Sequence, residues 1–272
     1  MNHSILWDCH MHSSFSSDSS TPMECMIMQG ISNGLKGICF TEHFDPDYPA
    51  TPDGLSFSLD IPSYMETLFS FKEKYQDKIE LRFGIELGLQ PHLADYFEEL
   101  TQKYPFDFVI GSSHVVNGFD PYYPEFFQTR EEAVGYREYF ESILENVKKI
   151  SSFDTYGHLD YIVRYGPNKN RGYSYGKYAD VFDEILHQLV ERQIGLEVNT
   201  GGYHYGLGEP NPCTDIIRRY KELGGEIITV GADAHVPEKI GYDFERAACV
   251  LAECGFRYYT VFKKRKAEFL KF

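Results

Sequence analysis

Six of the ten histidines in this 272-residue chain recur in short patterns, most of them beside an Asp or a Glu. His10 and His12 lie in Asp8-Cys9-His10-Met11-His12, His43 in Thr41-Glu42-His43, and His114 in Gly111-Ser112-Ser113-His114. His158 follows in Gly157-His158-Leu159-Asp160, and His235 in Gly231-Ala232-Asp233-Ala234-His235; Glu86 occupies Gly84-Ile85-Glu86-Leu87-Gly88. Residues two apart on a strand point to the same side, so His10 and His12 can grip one ion together, and Asp233 and His235 repeat that spacing. Imidazole and carboxylate in combination suit Zn2+, Mn2+ or Fe2+ better than Ca2+ or Mg2+. A lone histidine at a strand end is ordinarily structural; the ordered recurrence is what points to a metal centre. His3, His92, His187 and His204 fall outside the pattern.

The elements that must bring these residues together follow from the apolar pattern. Candidate strands are Ile5–His10, Gly37–Thr41, Ile79–Leu87, Phe108–Ser113, Phe153–His158, Ile194–Asn199, Ile227–Gly231 and Phe256–Phe262. Helix-like segments lie between most of them: one after Thr21, then Ile61–Tyr75, His92–Tyr104, Arg130–Ile150, Tyr178–Arg192, Cys213–Leu223 and Glu245–Cys254. The first helix is expected to have Thr21 as N-cap, Pro22 at its first position, Glu24 closing a capping box and Gly34 beyond its last turn. Alternation of this kind predicts a mostly parallel sheet covered by helices, and seven or eight units predict a closed barrel. Strand C-termini of such a barrel converge on one face, where the histidine patterns would become neighbours. The irregular stretches Phe44–Asp60, Asn117–Thr129 and Tyr165–Lys177 follow strand ends and are rich in Tyr, Pro, Gly and Asp, as pocket-forming loops are. No repeat or linker divides the chain, so one domain over residues 1–272 is expected.

A formal charge of −15 works against a long polyanion, whose binding draws on Lys and Arg displacing counterions. A small substrate, and no nucleic acid, is the expectation. No run of 18 or more apolar residues is present, so no membrane span is expected. The first residues lack a basic and then apolar leader pattern, and the six cysteines are scattered without a CxxC pair. That combination reads as reduced thiols in a cytoplasmic protein. The sequence leaves the oligomeric state open.

From Asp8-Cys9-His10-Met11-His12-Ser13 to Val230-Gly231-Ala232-Asp233-Ala234-His235 the chain resembles the polymerase-and-histidinol-phosphatase (PHP) family, and within it the histidinol-phosphate phosphatase branch. The ordered signature is an HxH, a T[ED]H, a Glu, two separate His and a DxH. The resemblance implies a distorted (β/α)7 TIM-like barrel and three divalent metal ions (Zn, Mn or Fe). It assigns His10, His12, Glu86 and Asp233 to the first ion, Glu86, His114 and His158 to the second, and Asp18, His43 and His235 to the third. Asp18 stands where other members carry His.

It further implies a phosphomonoesterase that hydrolyses L-histidinol phosphate in histidine biosynthesis, with hydroxide from a shared water attacking phosphorus. Asp233 is then either a plain ligand or also the acceptor of the proton. Arg164 is placed to meet phosphate oxygens with a planar fork of donors. Glu42, Asp160 and Glu197 are candidates for a substrate amine or for support of a metal-bound His. Relatives often carry Arg or Lys just after the Asn-Thr-x-Gly turn; this chain reads Asn199-Thr200-Gly201-Gly202-Tyr203-His204-Tyr205, which leaves His204 or another residue to replace that cation. A nucleotide phosphodiesterase and a non-catalytic metal-binding module are the alternatives.

Overall fold

A computed structural model describes residues 4–272, so His3 lies outside the described residues. Its core is a ring of short parallel strands: β1 (Trp7–Asp8), β2 (Gly37–Phe40), β3 (His43–Phe44), β4 (Glu80–Gly88), β5 (Phe108–Ser112), β6 (Thr155–Tyr156), β7 (Gly195–Asn199) and β8 (Ile228–Gly231). They pair in the order β1-β2-β4-β5-β6-β7-β8, with the short β3 continuing beside β4. Beyond β1 and β8 the ring is closed by three backbone bonds: Cys9 N–H to the Val230 carbonyl at 3.0 Å, Asp233 N–H to His10 at 2.8 Å and His12 N–H to Ala234 at 2.9 Å. Every residue of β2, β5, β7 and β8 is buried, as in strands sandwiched between barrel interior and covering helices. Phe83, Ile85 and Leu87 on β4, Ile110 on β5 and Val198 on β7 have no exposed surface. The expected (β/α)7 barrel is therefore present.

The helices are α1 (Met23–Ser32), α2 (Ile61–Lys74), α3 (Ala94–Lys103), α4 (Glu125–Gln128), α5 (Glu132–Lys149), α6 (Ala179–Glu191), α7 (Gly201–His204), α8 (Thr214–Glu222) and α9 (Phe244–Glu253). Gly34 ends α1 as expected: it adopts φ +73°, and its neighbour Leu35 donates back to the Gly30 carbonyl at 3.1 Å. The expected capping box does not form. Helix α1 starts at Met23 with no side-chain cap, because the Thr21 hydroxyl donates instead to the His235 carbonyl at 2.9 Å and Glu24 turns to Lys74 and Tyr75. A tertiary bond that ties the loop to the site has displaced the local one.

The eighth predicted strand, Phe256–Phe262, is not a barrel strand. It forms β9 (Tyr258–Lys263) and pairs antiparallel with β10 (Lys266–Lys271). Lys264 and Arg265 between them take φ +50° and +62°, the left-handed pair that a two-residue hairpin turn demands. Asp107 holds this turn by accepting from Lys264 N–H through its carboxylate (3.0 Å) and from Arg265 N–H through its carbonyl (2.9 Å). Lys-Arg carries none of the Asn-Gly chemistry that marks such turns, so the sequence hid the hairpin.

Candidate metal centre and adjoining pocket

His10 and His12 emerge just past β1, His43 opens β3, Glu86 lies within β4, His114 follows β5, His158 follows β6, and Asp233 and His235 follow β8. Register places His43 directly across from Glu86. Asp233 adopts φ +56°, a conformation Asp tolerates better than most residues, while its N–H is held by the His10 carbonyl.

Four atoms converge most tightly: His10 Nε2, His12 Nε2, Glu86 Oε2 and Asp233 Oδ1. Five of the six distances among them are 3.1 Å between the imidazoles, 3.2 and 3.5 Å from His10 and His12 to Glu86, and 3.7 and 3.5 Å from the same rings to Asp233. A tetrahedral ion with bonds of about 2.0–2.1 Å requires donors about 3.3–3.4 Å apart. The spacing of these residues thus fits one ion. Glu86 Oε1 lies 3.3 Å from His114 Nε2 and 2.9 Å from His158 Nε2, a second set. Asp18 Oδ2 lies 3.5 Å from His43 Nε2 and 3.1 Å from His235 Nε2, a third. Glu86 Oε2 and His43 Nδ1 sit 2.9 Å apart, yet both are buried without a hydrogen bond. Buried groups of this kind are normally satisfied, so these two atoms also fit a cationic partner.

The outer nitrogens of the rings explain why the inner ones face inward. His10 Nδ1 donates to Glu197 Oε1 at 2.6 Å, His114 Nδ1 to Asp45 Oδ1 at 2.7 Å, and His235 Nδ1 to the Asp233 carbonyl at 3.0 Å. The Ser16 hydroxyl donates to Glu42 at 2.6 Å, so toward His12 Nδ1, 3.2 Å away, it can only accept. Each of these four rings therefore keeps its Nε2 for the centre, the tautomer a ligating histidine needs.

Charge within the cluster is finely divided. Burial, with His43 and His235 beside it, holds the His12 pKa well below the usual imidazole range, so this ring is neutral and ready to ligate. Burial would also lower His10, but the carboxylates of Glu197, Glu86 and Asp233 outweigh it and hold its pKa well above. Burial would raise Glu86, yet His10, His43 and His114 keep it far below the ordinary carboxylate range.

Beside the centre opens a cavity of about 280 Å3, lined by Asp18, His43, His114, His158, Asp233 and His235 on one side. All three irregular stretches contribute to it: Asp45, Tyr48, Leu55 and Phe57 from the first, Asp120, Tyr122 and Tyr123 from the second, Tyr165 from the third; Tyr161 and Tyr205 line it as well. Arg164 also lines it. Its guanidinium lies over Tyr205 at 4.7 Å and is held by Asn211 at Nε (2.8 Å), Asn199 at Nη2 (2.9 Å) and Asp233 Oδ2 at Nη1 (3.0 Å). Of its five N–H donors, two stay free for an incoming group.

The carboxylates offered for a substrate amine lie elsewhere. Glu42 is fully buried behind the centre, its oxygens taken by Ser13 and Ser16. Glu197 accepts from His10, from His158 N–H at 2.8 Å and from Asn199 at 3.1 Å. Asp160 accepts from Asn211 at 2.6 Å, Cys213 N–H at 2.9 Å and Tyr173 at 2.9 Å. None of the three lines the cavity. Glu197 instead fills the alternative role of orienting a histidine. His204 is exposed, 2.9 Å from the Lys239 ammonium, and is not in the cavity wall either. The acids that do face the cavity and that the sequence left unremarked are Asp45 and Asp120. Asp45 has a local signal in Thr41-Glu42-His43-Phe44-Asp45, two residues past a candidate ligand; Asp120 has none. Gly88 makes the seat for Asp45, since a Cβ there would fall 1.9 Å from its Oδ1.

A (β/α)7 barrel carrying imidazole and carboxylate donors at the C-terminal ends of its strands has the make-up of a metal-binding barrel protein. Residues 8–201 match the PHP domain, and the chain belongs to the PHP family. It is 30% identical over 262 residues to the histidinol-phosphatase of Lactococcus lactis, covering 96% of each chain. It is also 32% identical over 258 residues to a probable histidinol-phosphatase of Clostridium acetobutylicum, covering 93% of this chain and 95% of that one. A crystal structure of histidinol phosphate phosphatase from L. lactis, in complex with zinc, L-histidinol and phosphate, superposes with a TM-score of 0.89 over 96% of this chain and 98% of its own. Among the described residues no helix is long and apolar enough to cross a membrane.

Proposed function

We propose that this protein is a metal-dependent phosphomonoesterase that hydrolyses L-histidinol phosphate to L-histidinol and phosphate. The observation that carries the reading is the convergence of His10, His12, Glu86 and Asp233 at tetrahedral spacing beside a cavity that also holds an arginine fork. The likeness to the L. lactis enzyme, whose crystal structure holds zinc, L-histidinol and phosphate, supports it.

Three ions are proposed: one held by His10, His12, Glu86 and Asp233, a second by Glu86, His114 and His158, a third by Asp18, His43 and His235. Divalent ions there supply hydroxide near neutral pH and offset charge on the phosphoryl oxygens. The chain's own residues do the rest. Glu86 offers one oxygen to each of two sets and so fixes their separation. Asp233 turns Oδ1 to the first set and Oδ2 to Arg164, which favours the ligand role over that of proton acceptor. The two free donors of Arg164 point the phosphoryl group, and the rings of Tyr161 and Tyr205 on its flanks hold the guanidinium in place. Loops carrying Tyr48, Phe57 and Tyr122 enclose the part of the substrate that does not react, so its binding can orient the part that does.

Purified protein, assayed for phosphate release against phosphomonoesters and diesters with metal content measured on the same sample, tests this. The expected result is close to three transition-metal equivalents per chain and a kcat/KM for L-histidinol phosphate at least about 100-fold above p-nitrophenyl phosphate or any nucleotide. Equal or better hydrolysis of a generic ester or a nucleotide diester would remove the substrate assignment. One equivalent or none in active protein would remove the three-ion centre.

Arg164→Ala, assayed in saturating metal, should lower kcat/KM for the phosphate ester by roughly 10- to 150-fold, the loss of a charge-assisted contact worth about 1.5–3 kcal/mol. Saturating metal separates that loss from any loosening of Asp233. Unchanged kcat/KM would reduce Arg164 to a brace for Asp233.

A further inference from the structure

Resting on the substrate reading above, we infer that Asp120 is the residue that selects for the substrate's ammonium group, through a carboxylate set in the aromatic wall of the cavity. Asp120 is 7% exposed and lines the cavity. Its two oxygens accept only from neutral donors, the Tyr48 hydroxyl and the Tyr122 N–H at 2.7 Å. Among the described residues it joins no ion pair with Lys or Arg. His114 acts on it only at a distance, with no hydrogen bond or ion pair between them, and a buried carboxylate so weakly paired is costly. The other buried acids of this region show the contrast: Asp233 has Arg164, and Glu86 has its ring of histidines. Burial raises the Asp120 pKa despite both donors.

The surroundings fit an ammonium. Tyr48, which holds Asp120, packs edge-on against Phe57 with centroids 4.7 Å apart. Tyr122 packs against Tyr165 at 5.3 Å, and Tyr165 against Tyr161 at 4.9 Å. Aromatic faces around a carboxylate favour a cation over a neutral or anionic group. Asp45 in the same wall, 5% exposed, keeps Oδ2 buried with no partner while Oδ1 serves His114, and so adds to the negative potential of this face. The cavity thus carries both kinds of group: Arg164 with free donors, and Asp120 with Asp45 as carboxylates that no Lys or Arg pairs among the described residues. A 2-aminoalkyl phosphate ester carries one charge for each.

The test compares two substrates in two proteins. L-Histidinol phosphate and its desamino analogue, the phosphate ester of imidazolylpropanol, are assayed with the wild-type holoenzyme and with Asp120→Asn. The expected result is a loss of kcat/KM of roughly 10- to 100-fold for the aminated substrate in the variant, and a change within about 3-fold for the analogue. Equal losses on both would make Asp120 a support for Tyr48 or a partner of the imidazole, and would overturn the assignment. So would no loss on either. Wild-type protein gives a second arm independent of the variant's folding: it must itself favour the aminated ester by a comparable factor, and equal rates on the two esters refute the selection. A wild type that hydrolyses neither better than p-nitrophenyl phosphate fails the substrate proposal instead, before Asp120 is reached.

Discussion

Glu86→Gln is expected to lower kcat by about 1000-fold or more and to strip metal from the centre. One oxygen of Glu86 lies 3.2 and 3.5 Å from His10 and His12 and 2.9 Å from His43; the other lies 2.9 Å from His158 and 3.3 Å from His114, with the Ser112 hydroxyl donating to it at 2.7 Å. A glutamine keeps the shape but loses the charge, and its NH2 faces imidazole nitrogens with lone pairs already turned toward it. Two sets of donors weaken together, where any single histidine replacement weakens one. Losing the hydroxide source and the charge stabilisation costs on the order of 4 kcal/mol or more of barrier. Turnover and metal content by mass spectrometry are read on the same preparation. Full metal content with near-normal turnover in the glutamine protein would sink the bridging role.

Glu197→Ala should follow, with a fall of up to about 100-fold in activity or metal affinity, the usual range for a residue that orients a ligating histidine. The expectation rests on what one carboxylate holds: the outer nitrogen of His10 at 2.6 Å, the backbone N–H of His158 at 2.8 Å and the Asn199 amide at 3.1 Å. All three donors are buried, so alanine leaves them without an acceptor and destabilises the fold as well. Glu197→Gln separates the two effects, since its oxygen can still accept from His158 N–H and the Asn199 amide while leaving His10 without its charged partner. Excess metal should recover part of the activity in both variants, because the inner ligands remain. If neither loses activity at ambient metal, the His10–Glu197 bond has no part in holding the centre.

Much of the fold, and the gathering of His, Asp and Glu side chains at one end of it, was legible because the pattern recurs at strand ends. His10, His12, His43 and Glu86 stood out as candidates in that way, and the barrel brings them together. What surrounds them obeys weaker rules. Glu42, Asp160 and Glu197 are acidic and close in sequence to site residues, but sequence does not say which way a buried carboxylate turns; all three turn away from the cavity toward donors behind it. Asp45 and Asp120, which do face it, sit in loops whose course is decided by tertiary contacts such as the close approach of Asp45 to Gly88. The same limit hid the β9–β10 hairpin, whose Lys264-Arg265 turn depends on Asp107, more than 150 residues earlier in the chain. It also hid the tie from Thr21 to the His235 carbonyl in place of a helix cap.

The seam that closes the barrel has a consequence for how the protein is made. The His10 carbonyl is joined there to Asp233 N–H, and His12 N–H to the Ala234 carbonyl, by backbone bonds that link the two ends of the ring. Two residues of the proposed tightest set are thus translated with the first barrel strand, and another only after more than 220 further residues have followed. On the proposed ligand set, a nascent chain has no complete tetrahedral set until β8 has been synthesised and has docked against β1. A chain interrupted before Asp233 would lack the closing member of that set, so loading of the first set would report a finished ring.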